Sequence, residues 1–169
     1  MIVFDIDIPD KSLTNVELLS YAKQLQIPCF RGVYMRDELP KTKAREKECA
    51  IVNFNTSRQP GSHWVCFYKE GQEERIYFDS FGQITPIEIQ NHLKTKSELT
   101  NDAAVIQRNT DIVQAVNTRV CGHLCLFVLK SLSNGDSFQD VITKLVNRID
   151  NNVATMTTTT TNKHGGGHS

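Results

Sequence analysis

Between Cys49 and Asp79 the chain reads as three short β runs separated by turn-forming stretches, and that pattern limits the fold more than any other feature. The runs are CAIVNF, WVCFY and RIYFD, with NTSRQPGS and KEGQE between them. β-Branched and aromatic residues in runs of this length, bounded by Gly, Pro, Asn and Ser, favour strands joined by tight connections. An antiparallel meander is expected over residues 49–54, 64–68 and 75–79. Around it the period becomes helical. Thr14-Asn15-Val16-Glu17 reads as a capping box opening a helix over roughly 14–26, with Leu18, Ala22 and Leu25 turned inward and Pro28 ending it. Thr85-Pro86-Ile87-Glu88 repeats that logic with Pro at the first helical position, for a helix through about Leu93. Cys121–Leu132 (CGHLCLFVLKSL) reads as a buried apolar helix, and Ser137–Ile149 as an amphipathic one opened by Ser137 and Asp140. The polar stretch 96–118 leaves room for a short strand at Ala103–Gln107. Phe30–Pro40, which mixes apolar residues with Arg31, Arg36, Asp37 and Glu38, reads as a surface loop. Lys41, Lys43, Arg45 and Lys47 are interrupted by Glu46 and Glu48 and read as a solvated face. Strands in one block with helices on either side make the class α+β, a central antiparallel sheet packed against the buried Cys121 helix.

At 169 residues the chain suits one domain, since a chain this long buries roughly 70% of its unfolded surface. We place that domain at 1–150. The tail at 151–169, with its Thr157–Thr161 run and NKHGGGHS ending, holds too little apolar surface to fold and reads as disordered. No apolar run approaches the ~20 residues of a membrane span, and MIVFDIDIPD carries acids where a signal peptide carries basic residues. An intracellular protein without a membrane partner is expected. Lys plus Arg number 19 and Asp plus Glu number 19, so no global field favours nucleic acid. The five cysteines (Cys29, Cys49, Cys66, Cys121, Cys125) are odd in number and lack C-x-x-C spacing. They argue against a disulfide framework or a zinc site, and most are expected to be buried as small hydrophobes.

Candidate chemistry begins in the hairpin formed by the last two β runs. If its loop is centred on Gly71, paired residues sum to 142, so Trp64 faces Phe78, Cys66 faces Ile76 and His63 faces Asp79. Directly opposed side chains point to one face with Cβ atoms ~4.5–5.5 Å apart, which brings His63 and Asp79 within hydrogen-bond reach. A carboxylate there would fix the imidazole tautomer and stabilise its protonated form; the plainer reading is that the two residues merely end their strands. Cys121 opens a buried helix, where the helix N-terminus favours an anion and lowers a thiol pKa, and Gly122 beside it leaves space for a substrate backbone. An activated nucleophile and a packing cysteine are equally open for Cys121, whereas Cys66 and Cys125 read as packing. Trp64 either shields the imidazole and carboxylate from water or fills the core.

Four segments in order carry a resemblance: Cys49-Ala50-Ile51-Val52-Asn53, Gly61-Ser62-His63-Trp64, Tyr77-Phe78-Asp79-Ser80-Phe81-Gly82, and Gln114 followed seven positions later by Cys121-Gly122. Over roughly residues 14–135 the chain resembles the adenovirus protease (adenain) family, cysteine endopeptidases in the clan that includes the SUMO-deconjugating proteases. The order His, acid, Gln, Cys is that of the family and excludes the papain order, in which Cys comes first. The resemblance implies a papain-like, adenain-like fold with His63 as general base, Asp79 as its orienting acid, Cys121 as nucleophile and Gln114 as side-chain oxyanion donor. A Gln amide and the Cys121 N–H are the neutral donors a tetrahedral intermediate needs.

The resemblance also implies a viral or mobile-element origin and cleavage of capsid or core precursors with Gly near the scissile bond, in a host nucleus or virion, and it admits a peptide or DNA activator; a monomer that requires no cofactor or metal is expected. Removal of ubiquitin-like modifiers after Gly-Gly is the alternative within the clan, and a catalytically silent binding module the alternative outside it. Adenoviral enzymes are activated by DNA and by a peptide tethered through a cysteine shortly before the oxyanion Gln. Here that region reads Asp102-Ala103-Ala104 and has no cysteine, and the neutral net charge gives no reason to expect DNA.

Overall fold

The computed structural model describes residues 1–41, 44–58, 63–94 and 106–149. The C-terminal tail, the Asp102-Ala103-Ala104 segment and Gly61-Ser62 lie outside the described residues. A small antiparallel hairpin, β1 (Ile2–Val3) and β2 (Ile6–Asp7), comes first. Helix α1 (Asn15–Gln24) follows, its start closed by the expected capping box: Glu17 N–H donates to the Thr14 hydroxyl at 3.2 Å, and Thr14 N–H donates to the Glu17 carboxylate at 3.0 Å. The main sheet has five strands in the order β3 (Phe30–Met35), β4 (Lys47–Asn53), β5 (Trp64–Glu70), β6 (Glu74–Phe78) and β7 (Gln107–Arg108). Helix α2 (Ile87–Leu93) precedes β7; α3 (Cys121–Ser133) and α4 (138–149) end the described chain.

The expected antiparallel meander forms the middle of this sheet, but both edge strands run parallel to their neighbours. Phe30–Met35, expected as loop, is the β3 edge. Its residues are mostly half-buried, so the strand lacks the apolar run that marks its neighbours. Strand β7 overlaps the expected Ala103–Gln107 stretch only at Gln107, residues 103–105 lying outside the described residues, and it is two residues at an edge that no period reveals. At α2, Pro86 is the N-cap residue instead of the first helical one, and no side chain caps the helix. The Thr85 carbonyl accepts from the Gln90 side chain instead.

The hairpin register also differs from expectation. Its turn covers 71–73, Cys66 pairs with Phe78 and Tyr68 with Ile76, so partners sum to 144. An even shift preserves which side chains share a face. Alternation along β4, β5 and β6 sorts side chains onto two covered faces. Cys49, Ile51, Trp64, Cys66, Tyr68, Ile76 and Phe78 join one apolar cluster with α1, α3 and α4. Ala50, Val52, Val65, Phe67 and Tyr77 meet Ile89 and Leu93 of α2 in the other. Burial on both faces explains why these strands read as near-continuous apolar runs. Helix α3 packs against β5 with ten of its thirteen residues buried, as its composition requires.

Candidate active site

The first turn of α3 has no side-chain cap, because its N-cap residue is Val120. Its leading N–H groups and the positive end of the helix dipole are left for whatever lies at the N-terminus. Cys121 is the first residue of that turn, 7% exposed. Its sulfur accepts the Trp64 backbone N–H at 3.5 Å. The Trp64 indole donates to the Leu13 carbonyl at 2.9 Å and its ring belongs to the core. Of the two roles open for this tryptophan, core filling is the one seen, with the loop before α1 fastened to it.

His63 immediately precedes β5, and its Nε2 lies 2.7 Å from Asp79 Oδ1. Direct pairing is not the cause, since the actual register carries Asp79 past the end of β6. Extended by the same sum, it sets His63 opposite Phe81, and the two rings lie 5.0 Å apart between centroids. Asp79 is the diagonal neighbour, within reach of a side chain as long as histidine's. The expected contact is present, by a different geometry from the one that led to it. Asp79 is fully buried; its Oδ1 also accepts the Phe81 N–H at 2.8 Å. Asn109 clamps the Asp79 backbone from both sides, accepting its N–H at 3.2 Å and donating to its carbonyl at 2.6 Å. Gly82 closes this turn with its N–H on the Asp79 carbonyl at 2.8 Å. At φ +66° it lies so near Thr110 that a Cβ would come within 2.5 Å of that carbonyl oxygen.

Burial of the His63 ring works against its charge, but hydrogen bonding to Asp79 and then interaction with Cys121 outweigh it, and the pKa is pushed up to about 9. At neutral pH the imidazole is therefore protonated, between a carboxylate and a thiol. Gln114 lines the same cleft of about 270 Å3 as His63, Phe81 and Cys121. Its Oε1 accepts the Ser80 hydroxyl at 2.6 Å and its Nε2 donates to the Thr118 carbonyl at 2.9 Å. All four residues singled out in the sequence thus meet at one place. A cleft of about 520 Å3 adjoins it, sharing Ser12, Leu13 and Trp64 and running along Val33 and Met35 of β3.

One expectation is corrected here. Gly122 does not open the cleft to substrate: a Cβ on it would meet Leu18, Leu13 and Trp64 at 3.0–3.4 Å, so its small size lets α3 approach α1 and the Trp64 ring. Asn109, Ser80 and the Trp64 amide escaped the sequence reading. Ser80 stands inside a segment already singled out, whereas Asn109 falls in a stretch with no period. Cys66 and Cys125 are packing residues as expected; the Cys125 thiol donates to the Trp64 carbonyl, and burial raises its pKa. All five cysteines are free, Cys29 exposed and the others buried. Among the described residues no cluster of His, Cys, Asp and Glu is suited to a metal ion, and no helix is long and apolar enough to cross a membrane.

The chain is 29% identical over 130 residues to a protease of porcine adenovirus A serotype 3, covering 71% of this chain and 64% of the relative. It is 30% identical over 129 residues to a protease of bovine adenovirus 2, covering 70% of this chain and 62% of that one. The crystal structure of an ASFV protease superposes with a TM-score of 0.52 at 19% identity, over 79% of this chain and 62% of that chain, and shares the α+β fold. The chain thus spans less than two thirds of the length of each of these relatives. A family model described as adenovirus endoprotease matches residues 30–165, a stretch that contains His63, Asp79, Gln114 and Cys121, and on that match the chain belongs to the adenovirus endoprotease family.

Proposed function

We propose that the chain is a cysteine endopeptidase that cleaves viral precursor proteins in capsid or core maturation, in a virion or an infected cell. The observation that carries this reading is the meeting of His63, Gln114 and Cys121 around one cleft, with Asp79 behind His63, although the four come from three separate segments. In the reaction Cys121 supplies the sulfur nucleophile. Asp79 holds His63 Nε2, and Nδ1 of the protonated ring carries the proton given up by the thiol, so the sulfur attacks paired with the imidazolium. Attack on the scissile carbonyl places the developing oxyanion at the α3 N-terminus, where the Cys121 N–H is one donor. Gln114 Nε2 carries two N–H bonds and Thr118 takes one, so the second is the other donor. His63 then returns its proton to the leaving amine, and water guided by the same imidazole hydrolyses the thioester. No metal or cofactor takes part.

Gly near the scissile bond is carried over from the family. Gly122, packed against Leu18, Leu13 and Trp64, does not bear on it. The test is hydrolysis of a peptide library by the purified chain, alone and with DNA or peptide added. Cleavage next to Gly that disappears in Cys121→Ala is the expected result. Cleavage that survives in Cys121→Ala would overturn the reading, and a requirement for a bulky or charged acyl-side residue would overturn the Gly preference.

A further inference from the structure

The donor proposed for the oxyanion is an amide, and an amide has two ends of opposite sign. Gln114 serves only if its NH2 end faces the cleft; turned by half a rotation, it would present a carbonyl oxygen to a developing negative charge. Thr118 contributes a backbone carbonyl, which can only accept, so its contact at 2.9 Å fixes Nε2 on that side. The opposite end is held by Ser80, whose hydroxyl donates to Oε1 at 2.6 Å. Ser80 is fully buried and Gln114 is 3% exposed, so no bulk water replaces this bond. The Ser80 carbonyl also accepts the Val113 N–H at 2.8 Å, so one residue grips both the backbone before Gln114 and its side chain.

Ser80 directly follows Asp79. The turn Asp79-Ser80-Phe81 therefore touches both halves of the site: Asp79 holds the imidazole, Ser80 holds the amide and the Phe81 ring lies against His63. We propose that Ser80 is a positioning residue that keeps the Gln114 amide facing the oxyanion and ties it to the acid arm through one turn. This rests on the endopeptidase reading above. A preoriented donor spares the reaction a reorganisation at the moment charge develops.

The test compares Ser80→Ala, Gln114→Ala and the double variant in peptide hydrolysis and in alkylation of Cys121 by iodoacetamide. Ser80→Ala is expected to lower kcat about tenfold with KM little changed, because an amide held at one end only, by Thr118, spends part of its time misdirected. Alkylation, which develops no oxyanion, should stay within about twofold of the parent. The double variant should be no slower than Gln114→Ala alone, since Ser80 acts through Gln114. Ser80→Thr, which retains the hydroxyl, should recover turnover. If Ser80→Ala does not fold, Ser80→Cys, similar in size but a weak donor, carries the same comparison. Parent-like turnover in Ser80→Ala would overturn the proposal, as would losses that multiply in the double variant, or alkylation that slows in step with turnover. Each of these leaves the endopeptidase reading standing so long as Cys121→Ala is inactive; turnover by Cys121→Ala would sink that reading itself.

Discussion

His63 is the residue whose electrostatics most directly shape the behaviour expected of the site. Its proton is held up to about pH 9 chiefly by Asp79 and then by Cys121, against the cost of burial. Protonation of the leaving amine needs the imidazolium, so kcat/KM should fall as pH rises through about 9. In Asp79→Asn the stabilising charge is gone, and the alkaline limb should move down towards the ordinary histidine value of about 6.5. A pH profile of both proteins checks this; an unmoved limb would show that Asp79 does not set the imidazole's charge. Gln114 makes a different prediction. Gln114→Ala should lower peptide turnover by about 10²–10³-fold while leaving alkylation of Cys121 nearly intact, because activating the thiol requires no oxyanion donor. Equal losses in both assays would make Gln114 a structural support.

At the scale of elements, the β3 edge is tied down by charge as well as by backbone pairing. Glu48 of β4 is fully buried, with one carboxylate oxygen on Arg31 of β3 at 3.0 Å and the other on His92 of α2. Burial raises the Glu48 pKa, but hydrogen bonds from His92 and the Arg45 N–H, with the Arg31 charge, more than reverse this and leave it lowered. A lowered carboxylate pKa gives stability that is present above the ordinary value and lost as pH falls through the lowered one. Glu48→Ala would strand Arg31 and His92 without this partner and should cost about 3–5 kcal/mol. Its denaturation midpoint should also lose part of the parent's acid sensitivity. A loss under about 1 kcal/mol would mean the cluster adds little beyond packing. The same cluster shows where sequence reading stopped. Glu48 and Arg31 were read as solvated residues, because charge in a mixed stretch gives no sign of burial and its partner His92 lies 44 positions away. Elements with a strong local signal were legible: the α1 capping box, the meander and the apolar α3. Strand β3 was not, because a half-buried edge shows neither a clean alternation nor an apolar run. Gly122 was misread because a glycine beside a nucleophile suits close substrate approach and close helix packing equally, and only the position of Leu18 decides.

For the molecule as a whole, the candidate site was more legible than the fold that builds it. The chemistry of four residue types in a set order survives a register error, since an even shift keeps His63 and Asp79 on one face. What the sequence did not reveal is the turn from Asp79 to Gly82 and its contacts with Asn109 and Gln114, because hydrogen bonds between segments some 30 residues apart leave no local period. The account's central claim is that the fold makes Cys121 the reactive thiol although it is buried, and Cys29 supplies an internal comparison because it is exposed. The measurement that tests this most directly is residue-resolved alkylation of the intact protein by iodoacetamide at pH 7, followed by mass spectrometry in the parent and in His63→Ala. The account predicts that Cys121 is modified before Cys29 in the parent and that this order reverses in His63→Ala. Modification of Cys29 first in the parent, with Cys121 reacting at the same rate whether or not His63 is present, would contradict it.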